Sequence, residues 1–394
     1  MRCLATRFAP ARTPDDSRPR APRKDAILTH MHTRIAAVVC LVCLVAPAAC
    51  IGDGTPPQPS GAVLTTGTPA PAASPPATST PVDRTPAAQT AATSAPVGGW
   101  RWDQLPPLPG GPRQETAVVA LSGELYVIGG FDDGRAVVAT VEAYDPAAGS
   151  WRSVADLPAP LHHANAAAVD GRLYVAGSLI GAFVADGRVF AYDPDADAWS
   201  ERAAMPAGSE RGAAAVAVVD GRIFVAGGLR GGAVADVSAY DPAADVWAAL
   251  PPLPEPRDHA AAGAIAGVMY VAGGRGGAIG AHTASVVAFD AANGAWTPRA
   301  PMPTSRGGVA AAVIDGLLLV LGGEGNRAAP SGVFDAVEAY DPAADAWQTL
   351  PAMPVPRHGT GAAAVGGVVI VPGGATAAGF GAVDTVEGLR PAAR

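Results

Sequence analysis

The sequence predicts an all-β domain in which one four-stranded antiparallel sheet recurs six times around a closed ring, and three regularities carry that expectation. Glycine pairs begin at Gly129, Gly177, Gly227, Gly273, Gly322 and Gly373, with Ser178 as the second member in one copy. Tryptophans stand at Trp102, Trp151, Trp199, Trp247, Trp296 and Trp347, each followed seven residues later by a proline. Seven residues ahead of the last five comes an aromatic, Tyr144, Tyr192, Tyr240, Phe289 or Tyr340. A repeat of roughly fifty residues marks stacked supersecondary units, none of which can bury its apolar face alone.

Each period divides into four short β-prone runs. One copy reads AAAVAVVDG, then RIFVAGG, then DVSAYDP, and the fourth run is of the type AWSERAAMP. Asp-Gly, Gly-Gly, Asp-Pro-Ala-Ala-Asp and proline-rich stretches separate the runs, and such short turns join antiparallel neighbours. The alanine-rich run suits the innermost strand, because strands converging on an axis leave room only for small side chains. The glycine pair, aromatic and Trp recurring in register resemble the kelch motif, over the whole of residues 100–391. That resemblance implies a six-bladed kelch β-propeller. Gly177-Ser178, Pro372 before the last glycine pair and Phe289 in place of Tyr are local departures that leave the pattern intact.

The ring should close through its first strand. The last period ends in VEGLRPAAR, where 386–391 aligns with VEAYDP and no Trp follows. The run around Trp102, which has no aromatic partner ahead of it, is the matching piece. Residues 100–108 are therefore expected to pair with 383–389 and complete the sixth sheet.

Upstream of residue 100 the composition changes twice. Residues 1–30 lack apolar periodicity, and Met31 reads as the better start. From Met31, Arg34 precedes the apolar run IAAVVCLVCLVA and then small residues, the order of a secretory signal over 31–50; about 12 apolar residues are too few to span a membrane. Ala48-Ala49-Cys50 resembles a bacterial lipobox, with Pro47 where that motif usually carries Leu. The resemblance implies lipidation of Cys50, and ordinary cleavage with release is the alternative. All four cysteines, Cys3, Cys40, Cys43 and Cys50, lie at or before the expected cut, which fits export without disulfides. Residues 51–99 are rich in Pro, Thr, Ala and Ser and cannot bury enough apolar area to offset their ordering entropy. They are expected to be a disordered, partly extended tether reaching roughly 100 Å or more. The expected location is the cell envelope or the exterior, with a lipid as the only membrane attachment.

Candidate site residues come from the repeat itself. Sixteen positions before each glycine pair stand Arg113, Leu161, Arg211, Arg257, Arg306 and Arg357, so five of six units place an arginine on one ring. Gln114, His162, His163, Asp258, His259 and His358 follow at the next one or two positions. Two readings stay open. The arginines could form a cationic mouth for a carboxylate or acidic sugar, or each could pair with a neighbouring carboxylate and hold the blades together. In kelch proteins the loops between glycine pair and aromatic strand share a face with these turns. Here they span 12 to 17 residues and carry Arg230, Arg275 and Arg327 along with Phe131, Phe183, His282, Glu324 and Phe380. Variable loops on a constant scaffold are where recognition usually sits, although the phenylalanines also suit loop packing.

Some kelch propellers are enzymes. Copper enzymes like galactose oxidase require a Cys cross-linked to a Tyr, and no Cys follows Cys50, which excludes that chemistry. A sugar-acid mutarotase resembling the sialate epimerases is the second option, with the arginines holding a carboxylate and Glu115 or His259 moving a proton. His162, His163, His259 and His358 lack the spacing of a recognised metal site. Asp193, Asp195 and Asp197 read as turn formers before calcium ligands. No metal, cofactor or catalytic residue is assigned on this basis.

Beyond Cys50 the chain has 19 Arg, no Lys and 32 acidic residues, a net charge of −13. Nucleic acid and anionic membrane surfaces are therefore poor partners. The function expected from the sequence is a monomeric, exported binding module for a protein or glycan of the cell envelope.

Overall fold

A computed structural model describes residues 99–276 and 280–392. The expected leader, signal, lipidation site and all of the tether but its last residue lie outside the described residues. Strands and turns make up everything described, and they form six four-stranded antiparallel sheets arranged as the blades of a propeller. Blade one consists of Ala117–Leu121, Glu124–Ile128, Val141–Asp145 and Ser150–Ser153. Blades two to five follow over 166–202, 215–250, 261–299 and 310–349, in simple meander order.

Burial explains the composition of each strand. In the innermost strands, such as Ala215–Val219, alternate residues turn into the wall and toward the axial channel. Ala and Val line that channel in every blade, since nothing larger fits where six strands converge. The second strand, such as Arg222–Ala226, is buried on both faces between neighbouring blades and reads as a continuous apolar run. The outer strand carries the Trp, whose ring lies against the aromatic of the third strand, as in Tyr240–Trp247 at 5.1 Å.

Blade six combines Ala363–Val365, Val368–Pro372 and Val386–Pro391 with the leading strand Trp100–Leu105. The ladder sets Trp102 opposite Leu389 and Leu105 opposite Val386. Closure therefore occurs where the sequence places it, but regular pairing extends to Pro391 and stops at Leu105. Pro106 and Pro107 have no N–H to continue it; farther on, isolated bonds remain from Leu108 N to Asp384 O at 2.9 Å and from Arg113 N to Val383 O at 3.1 Å.

Two sets of repeated bonds tie each blade to the next. Each Trp side chain reaches a carbonyl on the preceding blade's exit: Trp151 to Pro106 O, Trp199 to Ala155 O, Trp247 to Ala203 O, Trp296 to Pro251 O and Trp347 to Ala300 O, all at 2.8–2.9 Å. Trp102 does the same to Pro351 O at 3.0 Å. Near the axis, the second glycine of each pair donates its N–H to the main chain of the next blade: Gly228 to Arg257 O, Gly274 to Arg306 O, Gly323 to Arg357 O, and Gly374 to Arg113 O across the closure. These glycines have φ of about 95–112°, and a Cβ on any of them would strike the entry segment of its own blade, while the first glycine of each of these pairs sits too close to the next blade's arginine carbonyl to admit one. Blade two, with Ser178 in that position, uses a side chain instead, and Asn165 Nδ2 donates to Arg211 O at 2.8 Å.

The Asp-rich turns are local structure. Asp193 Oδ1 accepts from the N–H groups of Asp195 and Ala196, and Asp197 accepts from Tyr192 Oη at 2.7 Å and from Ala155 N at 2.8 Å. Tyr240–Asp245 and Tyr340–Asp345 repeat the second arrangement.

Candidate functional site at the propeller axis

The five ring arginines do not line a mouth. Arg113, Arg211, Arg257, Arg306 and Arg357 are at most 2 % exposed and point into the body of their own blades. Arg306 pairs with Glu338 at 2.5 Å and donates to Gly322 O, Thr304 O and Val320 O. Arg113 pairs with Glu142 and Arg357 with Glu387. In blades three and four serines take the carboxylate's place, with Arg211 on Ser238 Oγ and Arg257 on Ser285 Oγ, both at 2.8 Å. Desolvation without a bonded carboxylate pushes Arg211 down to about 10. Removing a guanidinium from water is costly, and all five are bonded within their own blades, although Arg113 Nε, Arg257 Nε and Arg357 Nε and Nη1 lack a partner; buried in this way, they brace the blade interior and are not exposed to a ligand.

The groups that face the axis come two positions after each arginine. Glu115, His163, Ala213, His259, Gly308 and Gly359 occupy this equivalent place in blades one to six, and all six have φ between 51° and 63°. Their main chains form a closed circuit of hydrogen bonds: His163 N to Glu115 O, Ala213 N to His163 O, His259 N to Ala213 O, Gly308 N to His259 O, Gly359 N to Gly308 O, and Glu115 N back to Gly359 O. The left-handed conformation costs a non-glycine residue on the order of 1–3 kcal/mol, and this circuit holds it. Three large polar side chains thus converge on the axis, and the three small residues leave them room. A Cβ at Gly359 would stand 2.6 Å from Glu115 Oε1.

Distances within the cluster are short. His163 Nε2 lies 3.1 Å from Glu115 Oε2, and the His163 and His259 ring centres are 4.9 Å apart. His259 Nδ1 meets Asp258 Oδ1 at 2.6 Å. Arg275 binds the same oxygen at 2.6 Å, reaches Glu324, and places Nη2 3.0 Å from the His259 ring nitrogens. On the other side His163 Nδ1 touches His162 Nδ1 at 2.5 Å, while His162 Nε2 donates to Gly181 O at 3.3 Å. Burial pushes His162 down to about 4 and His163 well below the usual histidine range, the latter helped by its cationic neighbours. Asp258 stays below the carboxylate range; burial opposes this, and His259 and Arg275 outweigh it. A cavity of about 160 Å³ lies beneath, lined by Glu115, His163 and His259 and by the first residues of the innermost strands.

Outside the axis, the loops of blades six, one and two meet in an aromatic patch. Phe131 contacts Phe380 at 5.4 Å, Phe183 at 6.1 Å and His162 at 4.2 Å between ring centres, and Arg135 lies over Phe380 at 4.7 Å. Phe183 is 44 % exposed and Phe380 37 %. Gln114 and Asp132 at its border are engaged locally, Gln114 with Gly379 O and Gly381 N, Asp132 with Ala136 N.

Of the candidate residues, the structure brings His162, His163, Asp258, His259 and Arg275 together. His358 lies nearby, 3.9 Å from Glu324 and bonded to Ala377 O. Arg230 stands apart, paired with Asp236 at 2.8 Å, and Arg327 is exposed on its loop. Glu115, named from the sequence only as a proton carrier in the rival reading, and Glu324, named only among the loop residues, belong to the cluster as well. Glu115 shares its place in the repeat with His163 and His259.

Comparison with known proteins agrees with this architecture. Residues 112–158, 210–254, 256–303 and 305–354 match the family model of the Kelch motif. The chain is 36% identical over 297 residues to the Kelch-like protein terF of Aspergillus terreus, an alignment covering 71% of this chain and 65% of that one. It is 48% identical over 62 residues to the Kelch repeat and BTB domain-containing protein 13 of Homo sapiens, covering 16% of this chain and 13% of that one. The chain thus spans just under two thirds of the fungal relative's length and a small part of the human one. Among solved structures, that titled "Structure of YjhT" superposes with a TM-score of 0.61 at 18% identity, over 71% of this chain and 95% of that one. This protein is a six-bladed β-propeller, and four stretches of it match the Kelch motif.

Proposed function

We propose that this propeller is an exported binding module, anchored through lipidated Cys50 and held away from the membrane by residues 51–99, that recognises a protein partner through its loop face. The observation that carries the reading is the patch around Phe183 and Phe380. Exposed phenyl rings from blades two and six, both packed on the buried Phe131 of blade one, favour burial against an apolar surface. The bordering Gln114 and Asp132 are already bonded, Gln114 to the blade-six loop and Asp132 within its own, which leaves little to read sugar hydroxyls and favours a protein over a glycan of the envelope. The rival reading as a sugar-acid mutarotase required arginines free to hold a carboxylate, and the five ring arginines are buried and bonded.

A photo-crosslinking residue placed at 183 or 380 in the full chain in its native envelope is expected to capture one protein partner. The same residue at Val246, exposed on the outer strand of blade three, should capture none. Capture from 246 alone would refute the assignment of the face, and a specific hit on a glycan array abolished by Phe183→Ala would replace the protein with a sugar. Loss of membrane association in Cys50→Ala checks the anchor separately.

A further inference from the structure

We propose that Glu115, His163 and His259 form a binding site for one divalent transition-metal ion of the zinc class at the centre of the propeller. Among the described residues, these three bring a carboxylate oxygen and two imidazole nitrogens within 4.8 Å of one another. Ligands of a tetrahedral zinc ion stand roughly 3.3 Å apart, given bonds of about 2.0–2.2 Å. The His163–Glu115 separation of 3.1 Å already meets that spacing, and His259 needs a small swing of its side chain.

The surroundings prepare both imidazoles. His259 is held through Nδ1 by the Asp258 carboxylate, an outer carboxylate of the kind that usually supports a metal-bound imidazole; its Nε2 is the nitrogen left for an ion, and Arg275 Nη2, 3.0 Å from it, must swing aside when the ion binds. His162, wholly buried, gives its Nε2–H to Gly181 O and presents a bare Nδ1. His163 Nδ1–H donates to that nitrogen, so the Nε2 of His163 faces Glu115 as a lone pair opposite a carboxylate. Two acceptors 3.1 Å apart require a cation or a proton between them.

Charge points the same way. Three carboxylates, Glu115, Asp258 and Glu324, face a single guanidinium, Arg275, so the neutral-imidazole cluster is left with two uncompensated negative charges. Asp258 Oδ2 and Glu324 Oε2 are buried with no hydrogen-bond partner. A divalent ion balances this excess, and an imidazole pair selects zinc, copper, nickel or ferrous iron over calcium and magnesium. Gly359 and Ala213 in the same ring supply the space, since a side chain at Gly359 would displace the Glu115 carboxylate.

The test uses the full chain with its cysteines alkylated, because Cys3, Cys40, Cys43 and Cys50 would otherwise bind metal themselves. Zinc chloride titrated calorimetrically into metal-stripped protein is expected to bind at one equivalent with micromolar affinity or better and to raise the melting temperature. His163→Ala and His259→Ala should each weaken binding by more than about a hundredfold, and Asp258→Asn by about ten- to a hundredfold. His282→Ala, outside the donor set, should leave it unchanged. If an alanine variant does not fold, Glu115→Gln carries the comparison, with an expected loss of at least about tenfold. Absence of binding tighter than about 1 mM overturns the site. One-equivalent binding that is unaltered in the folded variants does so equally, by placing the ion elsewhere.

Discussion

The indole nitrogen of Trp102 donates to the carbonyl oxygen of Pro351 at 3.0 Å, across 249 positions of sequence. This bond gives the leading strand the same lateral grip that each other Trp has on its preceding blade. Trp102→Ala should cost about 3–5 kcal/mol through the cavity and the lost contacts with the blade-five and blade-six core. A thermal melt is expected to show a lower midpoint together with early proteolysis near residue 100. Trp247→Ala, within an uninterrupted meander, should lower the midpoint without exposing the N-terminal strand.

Buried ion pairs in the blade interior give a second expectation. Arg306→Met leaves the Glu338 carboxylate in the core without its counter-charge, with only the Thr304 hydroxyl bonded to it, which typically costs about 3–5 kcal/mol. Arg306→Met combined with Glu338→Met removes both charges and should recover much of that loss. Urea denaturation of the two variants checks this; a double variant no more stable than the single one would deny that the pair acts as a unit.

The ring of left-handed residues can be probed with glycine pairs. Gly308 and Gly359 share a φ of 63°, yet a Cβ at Gly359 meets Glu115 Oε1 at 2.6 Å whereas one at Gly308 has its nearest neighbours at 3.4 Å. Both alanine substitutions carry backbone strain on the order of 1 kcal/mol or more. Gly359→Ala should be the more destabilising, because it also displaces a charged side chain from the axis. Equal melting temperatures for the two would contradict the placement of Glu115.

Acidification tests the buried histidines. His162 has its folded value depressed to about 4 from an ordinary 6.5, so the unfolded chain takes up its proton first as pH falls. Stability from this group is complete above about pH 6.5, declines between there and about pH 4, and is reduced by about 3 kcal/mol below that. His163 acts in the same direction. In the presence of a chelator, His162→Gln should flatten the stability profile across this window, which denaturant titrations at several pH values would reveal.

Much of the fold was legible because the ring imposes one environment six times. The Trp, the glycine pair and the alanine-rich strand each answer a constraint met in every blade, so periodicity exposes them. The arginines were legible in position but not in direction. The partner that settles their direction was also in the sequence, two residues before the aromatic or, in the last blade, before Leu389: Glu142, Glu338 and Glu387 accompany Arg113, Arg306 and Arg357, while the blade with Leu161 has Phe190 there. An arginine matched by a carboxylate in the same repeat is a feature of the scaffold. The axial cluster was harder to see because it breaks the repeat: Glu115, His163 and His259 share a position with Ala213, Gly308 and Gly359, and their meeting depends on closure of the ring.

Which residues share a face follows from where the chain closes, and amide hydrogen exchange on the full chain measures that directly. Amides of Trp100–Leu105 that donate to Val386–Pro391 should exchange as slowly as those of Val368–Pro372 and become exposed only with global unfolding. Exchange of the leading strand within seconds, while the remaining sheets stay protected, would contradict a six-bladed ring latched by Trp102 and the axial site built on it.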